Sequence, residues 1–223
     1  MEKTTKPEAL GAFVFARASR LAERVLADDG GAKAALAHLR ASVGRRLIDE
    51  PEVWGELLDG FPEELVGRGD LPNGYEEAAH AALSLFALHQ QSRGASMNVS
   101  GRGFGAAIRV LADPTDAGEL AGAVMRRFTT VLTDDEYPEI LHHLRGLVTQ
   151  LRAADVGLDY GRLARDLLAL RDPDRANGVR LRWSRDIYAR PRRADADGAA
   201  PAPVAASPAS TPAASGRPAA SES

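Results

Sequence analysis

The sequence contains no cysteine, which excludes disulfide bonds, thiolate catalysis and cysteine-bound zinc. No stretch approaches the ~18 uninterrupted apolar residues of a membrane-spanning helix, and the apolar run near the N-terminus is broken by Arg17 and Arg20. Alternating runs of β-branched residues, which are typical of strands, are missing as well. We therefore expect a soluble, cytoplasmic, helical protein that makes no membrane contact.

Lysine is scarce, since 25 of the 28 basic residues are arginine. A GC-rich genome would produce the same bias, but guanidinium groups suit phosphate contacts in either case. The net charge of −3 is unevenly distributed: residues 1–92 carry −5, residues 93–193 carry +4 and residues 194–223 carry −2. Any site for a polyanion must therefore be a local patch of the surface.

Helical spacing of apolar residues covers the first 193 residues. We predict an all-α bundle of about eight helices, in one domain over 1–193 that could divide into subdomains at roughly 1–92 and 93–193. The predicted helices cover 7–27, 32–43, 74–91, 104–111, 116–132, 136–153, 160–170 and 178–189, with short helical turns between the second and third. Asn73 and Asp159 are predicted to cap the helices at 74–91 and 160–170.

The last 30 residues, 194–223, have a different composition. Alanine, proline and serine account for 22 of them, and no aromatic residue is present. Such a segment cannot bury enough apolar surface to offset its chain entropy. We predict a disordered tail whose deletion leaves folding and binding intact.

Arginines form strips beside the apolar faces of three predicted helices. In the first helix, Arg17, Arg20 and Arg24 fall within about 60° of one another at 100° per residue. Any single strip could be an ordinary solvated face, but all three contain few acids. Together they predict a surface that holds a polyanion. The other two strips comprise Arg126, Arg127 and Thr130, and His142, Arg145, Thr149 and Arg152.

The glycine-rich segment Arg93–Gly105 is a candidate phosphate-binding loop. It is not a P-loop, because no Gly-Lys-Ser/Thr follows, and helices rather than a strand precede it. A flexible loop with Arg93 and Arg102 at a helix N-terminus could still bind an anion. A plain connection between helices explains the segment equally well.

Glu-x-x-His spacing, which is typical of diiron carboxylate bundles, occurs twice: at Glu77 with His80 and at Glu139 with His142. A diiron enzyme is therefore the enzyme class that the sequence indicates. Metal ligands must project into the core of such a bundle. The helical wheel places both pairs away from the apolar faces, so we expect them to point outward. The remaining histidines form no triad or HExxH pattern. We expect no metal, no cofactor and no catalytic site.

Several motifs, in this order and spacing, make the chain resemble the CasB family, the small subunit of the type I-E CRISPR Cascade surveillance complex. The resemblance covers most of residues 33–190. It is carried by HLRASVGRR at 38–46 with Trp54, FALHQQ at 86–91, Met97 with GFGAA at 103–107, MRRFTTVLTDDEYPEILHHLRGLVTQLR at 125–152, LDYGRLARDLLAL at 158–170 and WSRDIY at 183–188.

The resemblance implies an all-helical, non-catalytic subunit that is present as a pair in a multisubunit ribonucleoprotein. Its basic surface would hold nucleic acid, including the DNA strand displaced by the guide RNA. The positions that match basic residues of the family are Arg40, Arg46, Arg126, Arg127 and Arg145, with Arg102 matching less closely. The candidates Arg17, Arg20, Arg24 and Arg152 depend on helix-face geometry alone.

Two other functions stay open from the sequence. A helical scaffold that contacts only proteins would carry the same arginines on solvated faces. A diiron enzyme would contain stoichiometric iron. Salt dependence of nucleic-acid binding separates the first alternative from the CasB-like function.

Overall fold

The computed structural model describes residues 4–112 and 119–188, and in these residues it is all-helical, as predicted. An isolated bridge between Asn98 and Leu158 is the only β-type pairing in these ranges. The predicted tail at 194–223 lies outside the described residues. The helices are α1 (Lys6–Leu26), α2 (Gly30–Ala41), α3 (Trp54–Leu58), α4 (Gly74–Gln90), α5 (Phe104–Leu111), α6 (Glu119–Thr133), α7 (Tyr137–Ala153), α8 (Tyr160–Leu170) and α9 (Pro173–Tyr188).

Helix α4 is the centre of the fold and packs against α1, α2, α7 and α8. It is buried on nearly every side, because the segment AAHAALSLFAL is apolar around the whole circumference. Asn73 caps it as predicted: its side-chain oxygen accepts from the amides of Tyr75 at 2.8 Å and Glu76 at 3.0 Å. Helix α4 contacts helices from both halves of the chain. The possible division near residue 92 stays a prediction.

Two buried histidines of α4 have polar partners. His80 Nε2 lies 2.8 Å from the Ser42 hydroxyl, and His89 Nδ1 lies 2.9 Å from the Tyr160 hydroxyl. Burial lowers the pKa of each histidine to about 4. The prediction that His80 points outward is wrong: α4 has no solvent-facing side at this level, so the ring turns into the core.

Helices α1 and α8 approach so closely that their backbones nearly touch. A Cβ added to Gly161 would lie 2.4 Å from the carbonyl oxygen of Gly11. Glycine is therefore required where the two helices cross. Asp159 caps α8 as predicted, accepting from the Arg162 amide at 2.9 Å.

The second half of the chain packs through aromatic side chains. The rings of Phe104 in α5 and Trp183 in α9 have centroids 4.7 Å apart. The indole nitrogen of Trp183 donates to Asp166 in α8 at 2.8 Å, and burial raises the pKa of Asp166. The indole ties α9 to both neighbours, and α9 begins at Pro173 rather than at the predicted residue 178.

The segment between α4 and α5 is held in place rather than flexible. The Asn98 amide donates to the Phe15 carbonyl at 3.0 Å and to the Ser19 hydroxyl at 2.9 Å, both in α1. Its side-chain oxygen accepts from the Tyr160 amide at 3.1 Å. A single asparagine thus joins this segment to α1 and α8.

Candidate nucleic-acid interface

The ten predicted arginines fall into different environments, and only some lie on an open basic surface. The best-formed group is on α6 and α7, two adjacent packed helices. We call Arg126, Arg127 and Arg145 the α6–α7 surface. All three side chains are exposed, and none forms a hydrogen bond or ion pair with the side chains or backbone of residues 4–112 and 121–188. Their donors are available to a ligand.

A glycine lets one of these arginines lie across the boundary between α6 and α7. The Arg127 side chain reaches from α6 over Gly146 of α7, and a Cβ at Gly146 would lie 2.7 Å from its Nη1. Arg145 is the residue next to Gly146. The neighbouring threonines do not compete, because Thr130 donates to the Arg126 carbonyl at 3.1 Å and Thr149 to the Arg145 carbonyl at 2.9 Å.

The arginine strip of α1 has a different fate. Arg17 is only 7% exposed. Its guanidinium donates to the Asp59 carboxylate at 2.9 Å and to the Asp59 carbonyl, and it lies 3.8 Å from Glu56. The hydrogen bond from Arg17, together with its charge, lowers the pKa of Asp59. The prediction that Arg17 belongs to a solvent-facing strip is wrong, because the segment after α3 covers it.

The other two arginines of α1 remain at the surface. Arg24 binds Asp29 through two contacts of 3.1 Å, from Nε and Nη2. The pKa of Asp29 is lowered first by its bond with the Ala32 amide and then by Arg24. Arg20 is exposed at the mouth of a groove of about 380 Å³ whose lining includes Arg17, Asp59 and Phe13. Arg20 alone of the α1 strip keeps its guanidinium open.

The remaining candidates lie around the ends of α2, α4 and α8. Arg40 is half-buried, and exposed Arg46 has its Nε 4.0 Å from Asp49. Arg102 points to the Gly157 carbonyl at 3.4 Å. Arg152 donates to the Gln91 side chain at 2.6 Å and the Leu88 carbonyl at 3.4 Å, so it closes the C-terminal end of α4.

The predicted phosphate loop does not cradle an open anion site. Arg93 binds Asp155 at 2.7 Å and the Arg152 carbonyl at 3.2 Å. The Gly101 amide donates to Asp159 at 2.8 Å. The donors of this segment bind the protein itself, which favours the alternative of a plain connection.

Sequence reasoning missed Arg171, the residue that follows α8. Its guanidinium carbon lies 4.7 Å from the centre of the Tyr137 ring at the start of α7. Since the two residues are 34 positions apart, no local pattern in the sequence reveals this contact. Arg180 and Arg182 of α9, by contrast, pair with Asp135 at 2.9 Å and Asp166 at 2.5 Å.

The fold also bears on the possible metal site and on whether a helix could cross a membrane. In the described ranges, no three His, Asp or Glu side chains are placed to hold a metal ion. Glu139 and His142 are exposed, as predicted for that pair. None of the helices within 4–112 and 119–188 combines the length and hydropathy that crossing a bilayer requires.

Known proteins with the same arrangement identify the family. Residues 35–188 match the CRISPR-associated protein Cse2 family. The crystal structure of CasB from Thermobifida fusca has a TM-score of 0.68 and 34% identity, covering 81% of this chain and 98% of that one. A chain described as a CRISPR RNA-guided surveillance complex shares the fold, with a TM-score of 0.51 and 21% identity over 78% of this chain and 92% of that chain. No curated protein sequence matches at a significant level. The chain therefore belongs to the Cse2 (CasB) family of CRISPR-associated proteins, which confirms the family that the motifs predicted.

Proposed function

We propose that this protein is a non-catalytic small subunit of a type I-E CRISPR Cascade complex in antiviral defence. It binds the nucleic-acid backbone, including the displaced DNA strand, through the α6–α7 surface. Its partners are the other Cascade subunits, a second copy of itself, the guide RNA and the target DNA. The observation that carries the proposal is a pair of adjacent helices whose three exposed arginines have no acidic partner in the described residues.

The chemistry of the surface suits a strand of any sequence. Guanidinium groups bind phosphate oxygens, which are present at every nucleotide, so such contacts position a strand without selecting bases. In RNA-guided recognition the sequence is selected by base pairing, and the exchange of DNA pairs for RNA–DNA pairs is nearly balanced in energy. Modest backbone contacts can therefore shift the equilibrium towards the open duplex.

A charge-reversed variant in the assembled complex tests the proposal. Arg126, Arg127 and Arg145 are changed to Glu, and the complex is purified with its partner subunits and guide RNA. If each arginine neutralises one phosphate of a single strand, the slope of log affinity against log salt should become shallower by about 2, at ~0.7 per phosphate. Retention of single-stranded DNA should fall by at least an order of magnitude, while assembly is unchanged.

A matched control separates a local surface from total charge. Arg68, Arg175 and Arg185 are exposed, and their side chains have no hydrogen bond or ion pair with other described residues. Changing these three to Glu alters the net charge by the same amount and should leave most of the affinity. An equal loss in both variants would reject the α6–α7 surface. A wild-type affinity that does not depend on salt would favour the protein-only scaffold.

A further inference from the structure

Four elements meet at one end of the bundle: the segment after α2, the start of α4, the start of α7 and the end of α8. Arg171 lies there, exposed, with its guanidinium over the Tyr137 ring. Stacking on an aromatic face fixes the plane of a guanidinium and leaves the donors on its edge free. No carboxylate of residues 4–112 or 119–188 is within ion-pairing distance of it. The group is positioned but has no anionic partner.

Glu77 is an acidic residue at this end of the bundle, near Arg171. It lies in the first turn of α4, half-buried, and burial raises its pKa although the charges of Arg171 and Arg46 act to lower it. Two guanidiniums therefore lie around a carboxyl that is poorly solvated. Neighbouring Glu76 is committed elsewhere, because it accepts from the amides of Asn73 at 2.7 Å and Gly67 at 2.9 Å.

The Tyr137 hydroxyl supplies a second observation. It is buried and has no well-aligned hydrogen bond to the described residues. Burial raises the pKa of Tyr137 to about 12, while the charge and hydrogen-bonding of the nearby Arg171 act to lower it. The aromatic face of Tyr137 is the part of the side chain on which the Arg171 guanidinium stacks.

We propose that Arg171, stacked on Tyr137, is a further phosphate contact for the same nucleic-acid strand. The inference depends on the proposed function and extends it. Helix α7 starts at Tyr137 and carries Arg145 about 12 Å further along at 1.5 Å per residue. Arg171 therefore lies against the first residue of the helix that also carries Arg145.

Replacing Glu77 tests the proposal through an expected gain of affinity, whereas replacing an arginine should lower the affinity. A phosphate bound by Arg171 and Arg46 would lie near the Glu77 carboxylate, and two like charges in one site oppose each other. Glu77 therefore limits the affinity of the site. Its amide variant should bind the strand more tightly. If the charge of Glu77 instead only helps to hold the arginines in place, the variant would bind more weakly.

The experiment measures the affinity of the assembled complex for an oligothymidine strand over a range of salt concentrations. Arg171→Gln should make the salt slope shallower by about 0.7, the amount expected for one phosphate. Glu77→Gln should raise the affinity. Tyr137→Leu removes the aromatic face and should lower the affinity, whereas the matched Tyr137→Phe keeps the face and should not. Thermal unfolding of each variant reports on folding independently.

The outcomes distinguish this inference from the proposed function. If the triple charge reversal weakens binding but Arg171→Gln does not change the slope, Arg171 is not a contact and the α6–α7 surface stands. A weaker Glu77→Gln complex, or equal losses in Tyr137→Phe and Tyr137→Leu, would also overturn the inference. If the wild-type affinity shows no salt dependence, both proposals fail.

Discussion

The arginine strips of α1 and of α6–α7 look alike in the sequence but differ in the folded protein. On α1, Arg17 is buried against Asp59 and Arg24 is paired with Asp29. The three arginines of the α6–α7 surface are exposed and have no partner among the described residues. The difference teaches that an arginine strip stays open to a ligand only where the rest of the fold keeps acids away from it.

The acids next to α6 and α7 show how this happens. Asp134 and Asp135 lie in the turn between α6 and α7. They are close enough in sequence to pair with the arginines of the α6–α7 surface. Arg180 of α9 binds the Asp134 carbonyl at 2.5 Å and the Asp135 carboxylate at 2.9 Å. An arginine from a distant helix thus occupies part of this acidic turn. On α1 the opposite occurs, since a distant aspartate, Asp59, occupies the arginine.

Helix α1, which carries one strip, and helix α7, which carries Arg145 of the other, both pack on α4, and acid should disturb this shared support most. The pKa of His80 and of His89 is about 4 in the fold, against an ordinary value of about 6.5. Between these values the unfolded chain binds protons that the fold excludes, so stability falls as the pH drops. Acidification from pH 7 to pH 5 should cost about 2 kcal/mol for each histidine.

Urea unfolding at several pH values measures this dependence. Asp166 and Glu77, whose pKa values are raised by burial, act in the opposite direction and offset part of this loss. His80→Gln should remove roughly half of the pH dependence, since each histidine supplies one titrating group. His38→Gln, at an exposed position, serves as the control and should change nothing. A pH-independent wild type would contradict the burial argument.

A substitution where α1 crosses α8 should lower the free energy of unfolding more than a substitution on the α6–α7 surface. In Gly161→Ala, the new Cβ meets the Gly11 carbonyl oxygen at 2.4 Å and the Phe15 Cβ at 2.9 Å, and backbone cannot move aside. We expect a loss of about 3 kcal/mol in the free energy of unfolding. Gly178→Ala in α9, where no atom lies within 4 Å, should be neutral or stabilising. Equal stability of the two variants would reject the close crossing of α1 and α8.

Substituting one arginine from each strip separates a structural role from a binding role. Arg17→Met leaves Asp59 and Glu56 without their guanidinium, and Tm should fall by roughly 3–6 °C. Arg145→Met, on the open surface, should change Tm by less than about 2 °C but weaken nucleic-acid binding. Calorimetry and a binding titration of the same samples measure both quantities. The reverse pattern would mean that the two strips have been assigned incorrectly.

The smallest expected effect concerns the orientation of one side chain. In Gly146→Ala, the Cβ would lie 2.7 Å from Arg127 Nη1, a flexible group that can move away. Stability should hold or rise, because alanine favours the helix by up to about 1 kcal/mol over glycine. Binding should weaken by about 0.5 kcal/mol as Arg127 is displaced from its position over α7. Unchanged binding would show that the position of Arg127 over Gly146 is unimportant.

Much of the fold could be predicted from local patterns. Apolar spacing placed the helices, and Asn73 and Asp159 were identified as caps from their position before an apolar run. His80 was misplaced because a helical wheel assumes one solvent-facing side, whereas α4 is surrounded by other helices. The loop around Asn98 was expected to be flexible because it is rich in glycines and small residues. Its hydrogen bonds to α1 and α8 join distant parts of the chain, so no local pattern in the sequence reveals them.

The sequence by itself determined the helical class and the family, because helix periodicity and motif spacing are local properties of the chain. Only the tertiary structure decided which arginines stay open. Pairing of Arg17 with Asp59 joins residues 42 positions apart, and stacking of Arg171 on Tyr137 joins α8 to α7. Electrostatic partners are chosen by distance in space, and that distance exists only once the helices have packed.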